Sequence, residues 1–316
     1  MHTLKKIAIT IGDPAGIGPE VVLKSILSND IAGLCRPVII GDRVVIDEAV
    51  ESLGLPVSPE HIELIDVAEI TSRGFEKGKP TAAGGRASVA YIKKAVALAL
   101  DKSVDAIVTA PISKVSLKMA GFKWPGHTEL LADLTNSKDY AMMFYSEKLK
   151  LILVTIHTAL KNVPAMITRE RVLKTVMLAK KACAMMGMEN PKIAVAGLNP
   201  HAGEAGLFGD EEIHAISPAV AEAQKMGIPA TGPYPADTLF HKAYKGEFDI
   251  IVCMYHDQGL TPFKMVAFDK GVNVTIGLPI IRTSPDHGTA YDIAWKGIAN
   301  PSSMIEAIKL AVLMRR

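Results

Sequence analysis

The sequence predicts an α/β protein in which helices cover a largely parallel sheet. Short apolar runs rich in Val and Ile alternate with longer windows of helical periodicity, which is typical of βαβ units. The chain has 316 residues and is 49% hydrophobic, so it is long enough for a large core. We therefore expect a two-domain α/β architecture.

The apolar runs predict strands over residues 5–11, 36–41, 104–110, 151–157, 192–197, 249–254 and 272–277. Helical spacing predicts helices over residues 19–28, 86–102, 129–135, 168–187, 211–226 and 302–314. Thr168 is a suitable N-cap, and Pro218 should kink or split its helix. The Gly-rich stretch 71–85 is expected to be a flexible loop.

Composition argues against several classes of partner. The net charge is +2 and no basic block is present, so no nucleic-acid partner is expected. No apolar run reaches the ~18 residues of a membrane helix, so no membrane partner is expected either. Three cysteines without a CxxC pair indicate a reducing compartment. The first apolar stretch is too short for a signal peptide and is interrupted at Asp13, so we expect a cytoplasmic protein.

A glycine-rich segment follows the first predicted strand. Gly12, Gly16 and Gly18 permit tight backbone turns, and Pro19 suits the first helical position. A helix N-terminus here could face an anion or a nucleotide. The spacing matches neither GxGxxG nor a P-loop, so a purely structural turn remains an equal alternative.

Histidines stand at the ends of three predicted strands, at positions 157, 201 and 256. Ligands of open α/β sheets bind beyond the carboxyl ends of the strands, so His157, His201 and His256 could converge on one metal ion. A three-histidine site with an open position is typical of catalytic metal sites. Asp237 and Asp257 could orient an imidazole or act as general base. Alternatively, Asp237 is an N-cap and Asp257 a turn residue.

Further polar residues suggest an anionic substrate. His127 and Thr128 could hold a phosphate at a helix start, although Thr128 could simply be the N-cap. Lys264, Asn273 and Arg282 supply two cations and an amide, although such residues are more often solvated surface groups.

The segment 286–294 combines polar residues with glycine and other small residues. Such a loop would let a flat ligand lie against the backbone. Taken alone, it is a loop followed by a helix cap.

Together these motifs resemble the PdxA family, the 4-hydroxythreonine-4-phosphate dehydrogenases of vitamin B6 biosynthesis. The resemblance runs nearly end to end. It rests on segments 12–20, 126–129, 198–204, 235–240, 254–259 and 282–290. Pro285 departs from the Val expected before the Asp-His-Gly of the last segment.

The resemblance implies an isopropylmalate-dehydrogenase-like fold, with two α/β domains and a cleft between them. The expected first domain contains residues 1–125 and 278–316, and the second contains residues 126–277 with the metal ligands and dimer contacts. In the wider β-decarboxylating dehydrogenases, a loop similar to 287–290 holds the adenosine part of NAD or NADP. An obligate homodimer is also implied, with His256 contributed to the partner's active site.

The resemblance also assigns roles to individual residues. The metal ligands correspond to His157, His201 and His256. The substrate-binding positions correspond to His127, Thr128, Lys264, Asn273 and Arg282. The cofactor-binding positions correspond to His287, Gly288, Thr289, Ala290 and Asp292.

The implied reaction is the NAD(P)- and metal-dependent oxidation of 4-phosphooxy-L-threonine to a β-keto acid that loses CO2, with Asp257 or Asp237 as base. Three imidazoles favour Zn²⁺ over Mg²⁺, and Co²⁺ is also an option. One alternative is a D-threonate or D-erythronate 4-phosphate dehydrogenase that gives dihydroxyacetone phosphate. More remote alternatives are a phosphotransacetylase-like acyltransferase and a metal-dependent hydrolase. The sequence does not distinguish an amino group from a hydroxyl on the substrate's second carbon.

Overall fold

A computed structural model describes residues 4–316, and the chain divides into two compact units. Unit 1 contains the described residues up to Lys138 together with Leu278–Met314 and Arg316. Unit 2 contains Asp139–Gly277 and Arg315. Residues 1–3 of the expected first domain lie outside the described residues. The expected second domain starts at residue 126, whereas the helix that begins there groups with unit 1.

Unit 1 contains a parallel sheet of five strands in the order β3-β2-β1-β4-β11. The strands are β1 Lys6–Thr10, β2 Arg36–Gly41, β3 Leu64–Asp66, β4 Ala106–Thr109 and β11 Arg282–Pro285. The central strands β1 and β4 are almost wholly buried. Continuous rather than alternating burial is expected of strands that helices cover on both faces.

The helices of unit 1 are α1 Gly18–Ile26, α2 Arg43–Ser52, α3 Ala82–Leu100, α4 Lys114–Met119, α5 His127–Leu134 and α11 Ser302–Leu313, with a 3₁₀ turn at Pro59–His61. The long helix α3 packs against β1, β2 and β4, and also against α4 and α5. Both α5 and its neighbour α3 belong to unit 1.

Unit 2 contains a mixed sheet in the order β10-β5-β6-β9-β7-β8. The strands are β5 Ala141–Tyr145, β6 Lys150–Leu153, β7 Ile193–Ala196, β8 Ala230–Tyr234, β9 Ile250–Cys253 and β10 Val272–Ile276. Strand β5 runs antiparallel to both β10 and β6. The strands β6, β9, β7 and β8 are parallel to their neighbours.

The helices of unit 2 are α6 Val163–Met166, α7 Arg169–Met185, α8 Ser217–Lys225, α9 Ala236–Tyr244 and α10 His256–Ala267. Shorter turns occur at Leu160–Asn162, Pro200–Gly206 and Glu212–Ile216. The core lies between the sheet and helices α9 and α10, where the rings of Phe144 and Phe263 pack at a tilt of 60° with their centroids 5.8 Å apart. No helix within residues 4–316 is long and apolar enough to cross a membrane.

The α/β class is confirmed, and every predicted strand and helix is present, with β2 at its predicted bounds and the other elements with shifted ends. Thr168 caps α7 by accepting a hydrogen bond from the Arg171 amide, and Pro218 lies in the first turn of α8, after a π-helical turn. The prediction of a loop over residues 71–85 is wrong for its last residues, because α3 begins at Ala82 with Thr81 as its N-cap. The sequence did not predict the strands β3, β5, β8 and β11 or the helices α2, α4, α6 and α10, and it indicated α9 only as the helix that Asp237 would cap.

Candidate active site

The three histidines follow three adjacent strands of the unit 2 sheet. His157 comes after β6, His256 after β9 and His201 after β7, and these strands are neighbours in the order β6-β9-β7. Because the three strands are parallel, their carboxyl ends lie on the same edge of the sheet. The topology therefore brings all three histidine-bearing segments to one edge.

His157 and His256 line one cavity at this edge. Their ring centroids are 5.7 Å apart, and the cavity has a volume of about 530 Å³. Its other walls include Ile156, Leu160 and Val163, which are apolar. The cavity thus combines two imidazoles with a partly apolar lining.

Asp257 contacts the ring of His256. His256 is the first residue of α10, and its Nδ1 lies 2.6 Å from Oδ1 of Asp257. A carboxylate on Nδ1 fixes the ring orientation and leaves Nε2 as the metal-binding nitrogen. The turn-residue alternative for Asp257 is wrong, because Asp257 lies in the first helical turn and its side chain is 81% exposed.

His201 occupies a left-handed turn. His201, Ala202, Glu204 and Ala205 all have φ between 42° and 55°, with Gly203 between them at 83°. Such φ values cost roughly 1–2 kcal/mol per non-glycine residue. Strain of this kind persists only where surrounding contacts impose it, and it is common at functional sites.

Within residues 4–316 of a single chain, no group of three or more His, Cys, Asp or Glu side chains is close enough to hold a metal ion. The shared sheet edge brings the three segments together but does not assemble a complete three-histidine site. The donor chemistry nevertheless fits a transition metal, because imidazole nitrogen is a favoured ligand of Zn²⁺ and similar ions.

The remaining predicted residues of unit 2 lie on three elements. Asp237 is exposed in the first turn of α9, whose N-cap is Pro235, so the N-cap alternative for Asp237 is wrong. Lys264 lies on α10 with its Nζ 5.8 Å from the ring centroid of Phe268. Asn273 lies in β10, opposite Phe144 of β5.

In unit 1, the partly buried His127 interacts electrostatically with the buried Arg282. Arg282 is 2% exposed in β11, and its Nε and Nη2 donate to Oγ1 of Thr109 at 3.1 and 2.8 Å. His127 is the first residue of α5 and Thr128 is buried beside it. The N-cap of α5 is Gly126, so the N-cap alternative for Thr128 is wrong.

Burial alters the protonation of this pair. Desolvation, and secondarily the charge of Arg282, lowers the pKa of His127 well below its ordinary value. The ring is therefore neutral at pH 7, and its buried Nε2 has no hydrogen-bond partner in the described part of the chain. Burial also lowers the pKa of Arg282 to about 9, which leaves the guanidinium charged at pH 7.

The cofactor loop predicted at 287–292 packs against the glycine-rich segment. The Ile17 amide donates to the Thr289 carbonyl at 3.0 Å. A Cβ on Gly16 would lie 2.9 Å from that same carbonyl oxygen, so the close approach requires glycine. His287 to Asp292 thus adjoin the start of α1.

Asp13 is a site residue that was not predicted from the sequence. Its buried carboxylate accepts hydrogen bonds from the Ala15 amide, the Ser116 hydroxyl and the Tyr291 hydroxyl, at 3.0, 2.7 and 2.7 Å. Burial raises the pKa of Tyr291 to about 12, so this hydroxyl stays protonated and can donate. Asp13 therefore links the glycine-rich segment to α4 and to the cofactor loop. The Gly-Asp-Pro sequence at a strand end was the available signal.

Several known proteins similar to this chain are named as dehydrogenases. A 4-hydroxythreonine-4-phosphate dehydrogenase of Desulforapulum autotrophicum is 45% identical, covering 97% of this chain and 94% of that protein. A D-threonate 4-phosphate dehydrogenase of Pectobacterium atrosepticum is 46% identical over 98% of both chains. The crystal structure of 4-hydroxythreonine-4-phosphate dehydrogenase from Klebsiella pneumoniae superposes with a TM-score of 0.89 at 43% identity, covering 98% of this chain and 100% of that chain.

The expected dehydrogenase fold is also confirmed. Isocitrate dehydrogenase from Methylococcus capsulatus, at 15% identity and a TM-score of 0.51, shares the fold alone. The family model described as pyridoxal phosphate biosynthetic protein PdxA matches residues 33–311. Given this match and relatives above 40% identity over nearly the whole chain, the protein belongs to the PdxA family.

Proposed function

We propose that this protein is an NAD(P)- and divalent-metal-dependent dehydrogenase of pyridoxal phosphate biosynthesis that oxidises 4-phosphooxy-L-threonine. The product is a β-keto acid that loses CO2 to give 3-amino-2-oxopropyl phosphate. The observation that carries the proposal is the row of three histidines after the adjacent parallel strands β6, β9 and β7. The relatives named as dehydrogenases of such phosphates support it.

The proposed metal ligands are His157, His201 and His256, with Asp257 orienting His256 through Nδ1. Imidazole donors favour Zn²⁺, with Co²⁺ or Mg²⁺ as alternatives. When bound, the ion would act as a Lewis acid toward the substrate hydroxyl.

The proposed assembly is a homodimer in which His256 completes the partner's site. The absence of a three-ligand group within residues 4–316 of one chain supports a shared site. Exposed apolar side chains close to His201 in sequence, namely Leu207, Phe208 and Ile213, support burial of this face by a second copy. The ring centroid of Phe208 lies 6.0 Å from that of His201.

The anionic groups of the substrate are proposed to bind Arg282, Lys264, Asn273, Thr128 and His127. Arg282 supplies a cation at pH 7, and neutral His127 can offer a ring nitrogen for a hydrogen bond.

The proposed general base is Asp237. It would take the hydroxyl proton as hydride passes to the nicotinamide ring. Asp257 is less suited to this role because it is engaged with His256.

The cofactor is proposed to bind His287, Gly288, Thr289, Ala290 and Asp292. The contact of this loop with Gly16 and Ile17, at the N-terminus of α1, supports the assignment. The proposed location is the cytoplasm, which is consistent with free buried thiols at Cys35, Cys183 and Cys253.

A second candidate substrate is D-threonate or D-erythronate 4-phosphate, which would yield dihydroxyacetone phosphate. The observation in its favour is that relatives of nearly equal identity, 45% and 46%, carry the two different names. The two classes of substrate differ at the second carbon, where an amino group replaces a hydroxyl.

The test is a spectrophotometric assay of NADH or NADPH formation by the purified protein. Each of the three phosphates is supplied with NAD or NADP, and with Zn²⁺, Co²⁺, Mg²⁺ or a chelator. We expect metal-dependent reduction of the cofactor with 4-phosphooxy-L-threonine, at a higher kcat/KM than with either sugar-acid phosphate. A higher kcat/KM with D-threonate 4-phosphate would favour the second candidate, and no reduction with any substrate would refute the dehydrogenase.

A further inference from the structure

The left-handed turn that carries His201 is held by one buried carboxylate. Glu212 is 3% exposed and begins the π-helical turn Glu212–Ile216, which precedes α8. Its Oε1 accepts hydrogen bonds from the Leu198 and Asn199 amides at 2.7 and 2.8 Å. These amides belong to the segment between β7 and His201. Glu212 therefore fixes the backbone from which the turn departs.

The second oxygen of Glu212 holds the side chain that precedes the turn. Asn199 Nδ2 donates to Oε2 of Glu212 at 2.9 Å and to Oε2 of Glu211 at 2.6 Å. All three hydrogen bonds to Glu212 thus come from amide N–H groups of two consecutive residues. A buried carboxylate that accepts several N–H groups is a rigid support, because losing one bond leaves a buried polar group unsatisfied.

The chain packs closely around Glu212 and Asn199. A Cβ on Gly203 would lie 2.8 Å from Oε2 of Glu212, and a Cβ on Gly197 would lie 3.0 Å from Oε1. A Cβ on Gly209 would lie 2.3 Å from Nδ2 of Asn199. Glycine at these positions lets the chain close around the carboxylate on several sides.

We propose that Glu212 is a positioning residue that holds His201 in its metal-binding orientation through the left-handed turn. The inference rests on the proposed metal site. The strained φ values of residues 201–205 require support from neighbouring contacts. The hydrogen bonds to Glu212 fix Leu198 and Asn199, which directly precede the turn. Without the carboxylate, the turn should relax toward right-handed backbone and move the imidazole. Residues that support a metal ligand indirectly typically affect affinity about 10–100-fold when they are replaced.

The experiment measures Co²⁺ binding to the purified full-length protein by calorimetry and by the visible absorption of the bound ion. The variants are E212A, E212Q, H201A as a reference for ligand loss, and E222Q as a matched control. Glu222 is a carboxylate on the neighbouring helix α8, and it pairs with Arg169. Thermal unfolding of each variant is recorded in parallel.

We expect E212A to bind Co²⁺ about 10–100-fold more weakly than the unsubstituted protein, with an altered absorption spectrum. E212Q should lose less affinity, because its amide oxygen can still accept the two backbone N–H groups while its NH₂ opposes that of Asn199. E222Q should bind within about twofold of the unsubstituted protein, as expected of a surface substitution.

The outcomes separate this inference from the metal site itself. If the unsubstituted protein binds no Co²⁺, or H201A binds it equally well, the proposed metal site fails and the inference fails with it. If H201A loses binding while a folded E212A keeps both the affinity and the spectrum, only the role of Glu212 is refuted. If E212A does not fold, an unchanged affinity and spectrum in E212Q refute that role.

Discussion

A partly buried neutral histidine, His127, makes the stability of this protein dependent on pH. Burial lowers the pKa of His127 in the folded state, whereas the unfolded chain titrates near ~6.5. Below that pH the unfolded state binds more protons than the folded state, so the free energy of unfolding falls as the solution becomes more acidic. The stabilising contribution is complete above the unfolded pKa and is lost as pH falls toward the folded pKa.

We therefore predict that H127Q flattens the acid dependence of stability. Through His127, the free energy of unfolding of the unsubstituted protein should fall by up to about 1.4 kcal/mol per pH unit below pH ~6. H127Q should lack this contribution to the slope. Urea unfolding at a series of pH values measures it. The control is H61Q, which replaces an exposed histidine of the same unit. Equal slopes for H127Q and the unsubstituted protein would contradict the assignment.

Contacts between residues that are adjacent in the chain were the easiest to predict. His256 and Asp257 are adjacent in the chain, and their side chains are in contact. Asp13 was missed because its hydroxyl partners, Ser116 and Tyr291, are distant in sequence. Glu212 was missed for a similar reason. A left-handed turn separates it from its partners in the chain, and no local sequence pattern predicts that turn.

At the scale of elements, periodicity located the long helices and buried strands but failed where turn residues lie inside an element. Strand β8 contains Gly232 and Pro233, and helix α10 contains Pro262 and begins at a predicted ligand. The start of α3 was not predicted because two consecutive glycines, Gly84 and Gly85, are typical of a loop. Both glycines lie in the first turns of the helix.

Gly85 is a glycine that packing requires. A Cβ at this position would lie 2.1 Å from the Ser116 carbonyl oxygen of α4. In an isolated helix, replacing Gly by Ala stabilises by about 1 kcal/mol. We predict the opposite here: G85A should destabilise by about 1–3 kcal/mol, because α3 and α4 must separate. The midpoint of urea unfolding measures the effect.

The control for this packing effect is G288A. A Cβ at Gly288 meets nothing within 4 Å, and its φ is not in the left-handed region. Its unfolding midpoint should stay close to that of the unsubstituted protein. An increase in stability in G85A would show that helix propensity outweighs the contact with Ser116.

At the scale of the whole molecule, an active site shared between two chains allows two inactive variants to complement each other in a mixed dimer. If His256 completes the partner's site, H201A and H256A homodimers are each inactive. When the two variants are mixed and allowed to exchange subunits, a heterodimer contains one site with all three histidines. The other site of that heterodimer lacks two of them.

We predict that this mixture regains about one quarter of the activity of the unsubstituted protein, since half of the dimers are mixed and half of their sites are complete. The measurement is metal-dependent cofactor reduction, before and after unfolding and refolding of the mixed subunits. H157A mixed with H201A is the control. One chain supplies both His157 and His201 to a given site, so every site of this heterodimer lacks one histidine and the mixture should stay inactive. Equal recovery in both mixtures would contradict the assignment of His256 to the partner's site. No recovery in the first mixture, with heterodimers detected by mass spectrometry, would indicate that each chain builds its site alone.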